Sequence, residues 1–208
     1  MNSAQSSFDF GEPSSGPVNL LPRDGIAVLY EGAVAEGRAV DLFRVLSAEL
    51  AWTQQQVFVF GRWVEQPRLT AWYGDEGCRY RYSGIELHPH KWTTPLIEIR
   101  QVCENLTGAR FNSVLANLYR NGADSVSWHS DDEIELGFNP VIASVSLGSD
   151  RRFDLRHRTT GETVRLSLPA GSVLVMASAT QHYWMHQVPK TARDIGPRIN
   201  LTFRLIHG

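Results

Sequence analysis

Two cysteines in 208 residues, Cys78 and Cys103, are too few and too isolated for a disulfide framework or a cysteine-rich metal knuckle. No apolar run approaches the ~20 residues that a membrane span needs. The first residues also lack the basic and apolar regions of a secretory leader. These absences predict an intracellular, cytoplasmic protein without a membrane partner. The formal charge of −2 excludes a global basic signature, so nucleic-acid binding cannot be argued from net charge. Lysine is nearly missing: only Lys91 and Lys190 accompany the arginines. Arginine grips carboxylate and phosphate through a planar fork that lysine lacks, although a GC-rich gene would produce the same bias. No internal repeat is visible.

The length suits one domain, and 42% hydrophobic residues are ample for a packed core. Residues 1–17 are rich in Ser, Gly and Pro without an apolar period, which predicts a disordered tail before a single domain over 18–208. Ala39, Leu42, Phe43, Leu46 and Leu50 share one helical stripe, predicting a helix over 36–50. A second helix is expected from Pro95 to Leu106, with Thr94 as its cap and Gly108 ending it. From Phe111 onward the pattern changes to short β-like segments: SVLANLY, VIASVSL, RRFDLRH, TVRLSL, SVLVM, HYWMHQV and RINLTFRLI. Turn signals such as Asn121-Gly122 and Thr160-Gly161 separate them. The expected fold is therefore mainly β with flanking helices, a sandwich or jelly-roll barrel whose core runs over 111–208. Residues 52–92 are also β-like but crowded with aromatics, and read as a flap attached to that barrel.

Three acidic residues and a histidine crowd the stretch SVSWHSDDE, residues 125–133. Carboxylates this dense suit a solvated acidic loop, a general acid/base pair or a metal ion. On an extended segment, residues two apart share a side, so Val126 and Trp128 would face one way and His129 and Asp131 the other. An imidazole and a carboxylate presented together suit a metal, with a third ligand drawn from His157, His182, His186 or His207. His186 is attractive because it lies on a late strand-like segment. Two histidines and one carboxylate make the facial triad of non-haem Fe(II) oxygenases.

The last strand adds a second signal. In RINLTFR, the apolar Ile199, Leu201 and Phe203 alternate with Arg198, Asn200, Thr202 and Arg204. Two guanidiniums about 20 Å apart, at ~3.3 Å per residue, frame an amide and a hydroxyl. Such a face can clamp a small dianion, each arginine taking one carboxylate. An ordinary exposed strand face would read the same without the metal motif. Asn117 and Tyr119 share one face of an earlier strand and are able to add an amide and a phenol to the same pocket.

LANLYR, SWHSDDE, VIASVSLG, HQVP and PRINLTFR stand in the order and approximate spacing of the AlkB family, which the chain resembles over residues 55 to 206. The resemblance implies a double-stranded β-helix core with an N-terminal nucleotide-recognition lid over 52–92. It also implies an Fe(II)- and 2-oxoglutarate-dependent dioxygenase that removes N-alkyl groups from DNA bases of the 1-methyladenine and 3-methylcytosine type. O2 would be consumed, and succinate, CO2 and formaldehyde released. Carried over residue by residue, His129, Asp131 and His186 become the iron ligands. Arg198, Tyr119 and Asn200 hold the distal carboxylate of 2-oxoglutarate, with Asn117 in the same pocket, and Arg204 pairs with the carboxylate nearest the metal. His182 becomes structural rather than a ligand.

The resemblance extends to the substrate side. Alkylation leaves these bases positively charged, and a carboxylate with aromatic faces favours a cation. Glu133 matches the family's pocket acid, and Tyr80 and Tyr82 match its stacking aromatics. Phe60, in VFGRW, matches the wedge that fills the gap left by a flipped base. Arg68, with Arg62, Arg79 and Arg81, is a candidate phosphate contact. The short turn TTGETV after RRFDLRHR lacks the longer basic loop of double-strand-acting members, which weighs against a duplex preference. Methylated RNA, a protein or small-molecule hydroxylation on the same barrel, and a catalytically inert binding module are the rival readings. A monomer is expected.

Overall fold

The computed structural model describes residues 17–59, 61–78, 80–82 and 85–207; side chains at 59, 80–82 and 85–87 lie outside that description. In chain order the elements are β1 (Ile26–Tyr30), α1 (Glu36–Glu49), β2 (Gln56–Val59), β3 (Arg62–Glu65), β4 (Leu69–Gly74), β5 (Tyr80–Tyr82) and β6 (Ile85–Leu87). They continue with α2 (Thr94–Thr107), β7 (Ser113–Tyr119), β8 (Val126–His129), β9 (Ile142–Gly148), β10 (Arg151–His157) and β11 (Thr163–Leu168). β12 (Val173–Ala177), α3 (Thr180–Tyr183), β13 (Trp184–Val188) and β14 (Arg198–Arg204) complete the chain.

Two antiparallel sheets face each other. The larger has the order β1-β12-β9-β14-β7-β4, and the smaller β11-β10-β13-β8. Each consecutive strand of the core thus tends to cross to the opposite sheet, as a jelly roll requires. The aromatic-rich middle section divides between two places. Its strand β4 pairs with β7 inside the larger sheet, while β2–β3 and β5–β6 form separate hairpins. Phe58 and Trp63 on the first hairpin are each 60% exposed and meet edge to face at 5.4 Å.

The alternation of β14 organises the molecule. Ile199, Leu201 and Phe203 are fully buried and pack with Leu42 and Leu46 of α1 and Leu96 and Ile99 of α2. Burying a side chain of this size contributes roughly 1.5–3 kcal/mol, so this face fixes the strand's register. Arg198, Asn200, Thr202 and Arg204 must then point between the two sheets. There a second apolar cluster, including Ile142, Phe153, Leu155, Leu174 and Trp184, surrounds the polar strip.

Both expected helices form, with one difference at an end. The second begins at Thr94 itself, and Thr93 occupies the cap position without a side-chain capping bond. Gly108 closes it in the left-handed region at φ 69°, where a residue without Cβ is at no disadvantage. HYWMHQV is not strand throughout: Thr180–Tyr183 make one helical turn before β13 begins. β1, which no periodicity announced, pairs along its whole length with β12. Cys78 and Cys103 are buried and form no disulfide, and burial pushes the Cys103 thiol up to about 12.

Candidate active site

Between the sheets lies a cavity of about 250 Å³. One wall comes from β14 and β7. Their register sets Arg198 opposite Tyr119, Asn200 opposite Asn117 and Arg204 opposite Ser113. The facing wall comes from β8 and β13, where His129 and His186 are direct cross-strand partners. That register alone sets two imidazoles side by side, with ring centroids 4.2 Å apart. Asp131 follows two residues after His129 and is buried.

The candidate ligand atoms of His129, Asp131 and His186 all lie within 4.8 Å of one another. Of the four histidines that the sequence offers as a third ligand, the structure brings His186 to the pair. His157 is buried elsewhere, with Nε2 3.2 Å from Asp24 Oδ2. His182 is exposed and packs its ring 4.9 Å from Phe138. His207 lies exposed near the C-terminus.

One expectation about this segment needs correction. Val126 lines the same cavity as His129 rather than facing away from it. Val126 opposes Val188 and His129 opposes His186, so β8 spends three steps where β13 spends two. The extra residue is a β-bulge, and it resets the alternation that an ideal strand would impose.

The hydrogen bonds and charges around these three groups suit metal binding. His129 Nδ1 lies 2.8 Å from the Ser127 carbonyl oxygen, which can only accept. Nδ1 therefore carries the proton, and the Nε2 lone pair, 3.9 Å from Asp131 Oδ1, is free to ligate. Burial, reinforced by His129, drives the His186 imidazole down to about 3, so it is neutral at physiological pH. Burial opposes ionisation of Asp131, yet the positive neighbour Arg204, with His186 and His129, outweighs it and holds the carboxyl below its ordinary value. Since His186 is itself uncharged, Arg204 is the neighbour that counts. Two imidazoles and one carboxylate are the donor set a divalent, oxygen-activating iron takes.

At the other end of the cavity Arg198 is 1% exposed. Its Nη2 donates to Ser146 Oγ at 2.9 Å, while Nε and Nη1 make no hydrogen bond. Its guanidinium carbon sits 5.4 Å from the centroid of the Tyr119 ring. Among the described residues no carboxylate pairs with it. Burial, opposed in part by Tyr119, lowers it to about 10. A buried cation left without a counter-ion is costly unless a ligand supplies the charge, and a carboxylate fits those donors. Asn200 is held by Ser144 Oγ at 2.8 Å, and Thr202 Oγ1 donates to Asn200 Oδ1 at 3.2 Å.

Arg204 stands between the two ends. Its Nε is 3.9 Å from Asp131 Oδ2 and its Nη1 3.7 Å from Glu133 Oε1. Glu133 lines the cavity, and it shares that guanidinium with Asp131. Arg68 turns inward: its Nε donates to Asn117 Oδ1 at 2.8 Å. Phe60 and Arg79 lie outside the described residues, as do the side chains of Tyr80, Arg81 and Tyr82. Arg62 is exposed on the β2–β3 hairpin. Sequence reasoning missed Gln181, whose Oε1 accepts the Asp131 N–H at 3.0 Å. A bond spanning 50 positions leaves no local pattern to read.

Residues 26–204 match the family described as "2OG-Fe(II) oxygenase superfamily". The chain is 42% identical over 188 residues to "Alpha-ketoglutarate-dependent dioxygenase alkB homolog 3" of Bos taurus, covering 86% of this chain and 65% of that protein. It is 41% identical over 208 residues to "DNA oxidative demethylase ALKBH2" of Mus musculus, covering 94% of this chain and 87% of that protein. It thus spans just under two thirds of the length of the first of these relatives. The solved structure of OsALKBH1 superposes with a TM-score of 0.57 at 18% identity, over 86% of this chain and 97% of that one, a likeness of fold alone.

Proposed function

The chain belongs to the 2OG-Fe(II) oxygenase superfamily, and we propose that within it the protein is an oxidative demethylase of N-alkylated DNA bases such as 1-methyladenine and 3-methylcytosine. The observation that carries this reading is one cavity holding the His129–Asp131–His186 group at one end, the buried Arg198, without a carboxylate partner among the described residues, at the other, and Glu133 on its wall. Of the two relatives described above, one is named an alpha-ketoglutarate-dependent dioxygenase and the other a DNA oxidative demethylase, which supports the reading.

In this reading His129, Asp131 and His186 hold Fe(II), and Arg198 with Tyr119 and Asn200 receives the distal carboxylate of 2-oxoglutarate. When bound, the iron and 2-oxoglutarate supply the oxidising power, with O2 as oxidant and succinate and CO2 as products. The chain supplies position, charge and dryness. Arg204 keeps Asp131 ionised and faces the carboxylate at the metal end. Glu133 offers a negative charge to a cationic base, and the same attraction is absent for a neutral one. Phe153, stacked 5.4 Å from His186, and Val126 and Val188 wall the metal side against water. Hydroxylation of the N-methyl carbon gives a hemiaminal, which releases formaldehyde and the unmodified base.

The hairpins β2–β3 and β5–β6 act as the recognition lid, with Tyr80 and Tyr82 stacking the base, Phe60 as wedge and Arg68 on the substrate side. The reading is completed by a monomer acting inside the cell, where nucleic acid is found. No described helix is long and apolar enough to cross a membrane.

The test is formaldehyde release from oligonucleotides bearing 1-methyladenine, single-stranded, double-stranded and in RNA, with and without 2-oxoglutarate. Release dependent on Fe(II) and 2-oxoglutarate is expected from DNA. Succinate formation stimulated only by a protein or small molecule would overturn the assignment, and preference for the RNA oligomer would move the substrate.

A further inference from the structure

β8 is the edge strand of the smaller sheet, and the chain leaves it after His129. Asp131 therefore has no neighbouring strand to accept its backbone N–H, yet it is buried. A buried amide left unpaired is destabilising, so a partner is required. The partner is a side chain: Gln181 Oε1, at 3.0 Å. Gln181 is 0% exposed, and its own Nε2 has only the weak acceptor Met176 Sδ, at 3.7 Å.

The seat of Gln181 is itself rigid. It lies on α3, whose first residue Thr180 is tied to β1: Oγ1 accepts the Ile26 N–H at 2.9 Å and lies 3.0 Å from the Ile26 carbonyl oxygen. α3 runs directly into β13, so His186 follows Gln181 by five residues. One side chain thus joins the segment carrying Asp131 to the segment carrying His186.

We propose that Gln181 is a positioning residue for the metal centre: by fixing the main chain of Asp131 it aims that carboxylate at the two imidazoles. The inference rests on the reading of His129, Asp131 and His186 as metal ligands. Gln181 does not itself reach the metal. Its removal would leave all three ligands present but let the Asp131 segment turn, and outer partners of this kind typically govern about 10–100-fold in metal affinity.

The experiment is titration of the purified, metal-free protein with Mn(II), followed by electron paramagnetic resonance of the free ion, alongside the visible absorption of the Co(II)-loaded form. Gln181→Met keeps the volume and removes the acceptor; Gln181→Glu keeps an acceptor oxygen in place. Gln181→Met is expected to weaken Mn(II) about 10–100-fold and to change the Co(II) spectrum, while Gln181→Glu binds as the parent does. If Gln181→Met does not fold, Gln181→Asn, which withdraws the acceptor by one methylene, must show the same loss. Parent-like Mn(II) affinity in the folded acceptor-less variant overturns the proposal, as does equal loss in Gln181→Glu. Failure of the parent to bind Mn(II), or binding that survives His129→Ala, overturns the metal centre itself and not merely the role of Gln181.

Discussion

Arg198→Met is expected to make the metal-free protein more stable and the cofactor pocket useless. Methionine keeps a long flexible stem and removes the charge. At pH 7 the folded chain carries a guanidinium that its surroundings disfavour. A fall from 12.5 to about 10 is worth roughly 3 kcal/mol, at ~1.4 kcal/mol per tenfold change. Because the folded value lies below that of the unfolded chain, this penalty is present in full below about pH 10 and fades as pH rises toward 12.5. Against its relief stand the lost Ser146 hydrogen bond and the Tyr119 contact, about 2 kcal/mol together. The net gain is about 1 kcal/mol, or roughly 2–4 °C in Tm for a domain of this size. Adding 2-oxoglutarate reverses the order. At a hundred times its dissociation constant a ligand stabilises by ~2.7 kcal/mol. The variant should lose most of that, since truncating one partner of a buried charge pair costs roughly 2–5 kcal/mol. Thermal unfolding with and without 2-oxoglutarate, in the absence of metal and O2, reads both effects. A variant less stable than its parent without the diacid, and equally stabilised by it, would refute the reasoning.

Two further outcomes are expected. Glu133→Gln should raise the KM for 1-methyladenine and 3-methylcytosine about 5–10-fold, the scale of one partly exposed charge. Neutral ethenoadenine should be spared, and kinetics showing equal loss on both would remove the charge argument. In the metal-free protein His186 is held near 3 against 6.5 when unfolded, so protons favour the unfolded chain. Its contribution is complete above about pH 6.5 and declines as pH falls toward 3, by roughly 3 kcal/mol at pH 4. His186→Phe removes that slope, and chemical denaturation at pH 7 and pH 4 checks it: identical pH dependence in parent and variant would contradict the assignment.

The site was more legible in the sequence than its supports. His129 and Asp131 stand two apart on an extended segment, and the alternation of RINLTFR marks both the buried face and the anion-facing one. Those signals are local, and local periodicity survives in a linear reading. The bulge in β8 does not, because it is defined by the partner strand: only β13 shows that three residues are spanned by two. β1 escaped for a related reason. IAVLY is short and packs on both sides, so nothing distinguishes it from other apolar runs until β12 lies beside it. Gln181→Asp131 and Arg68→Asn117 are bonds across 50 and 49 positions, set by the closing of the sheets rather than by any spacing.

The two ends of the cavity rest on foundations of unequal strength. β14, bearing Arg198, is paired with a strand along both flanks, while β8, bearing His129, has a strand partner on one flank only among the described residues. Local opening is therefore expected at β8 before β14, and amide hydrogen exchange should run faster over residues 126–129 than over 198–204. Under the ligand assignment proposed above, a chelator would then loosen the metal end while the Arg198 end keeps its shape for reloading.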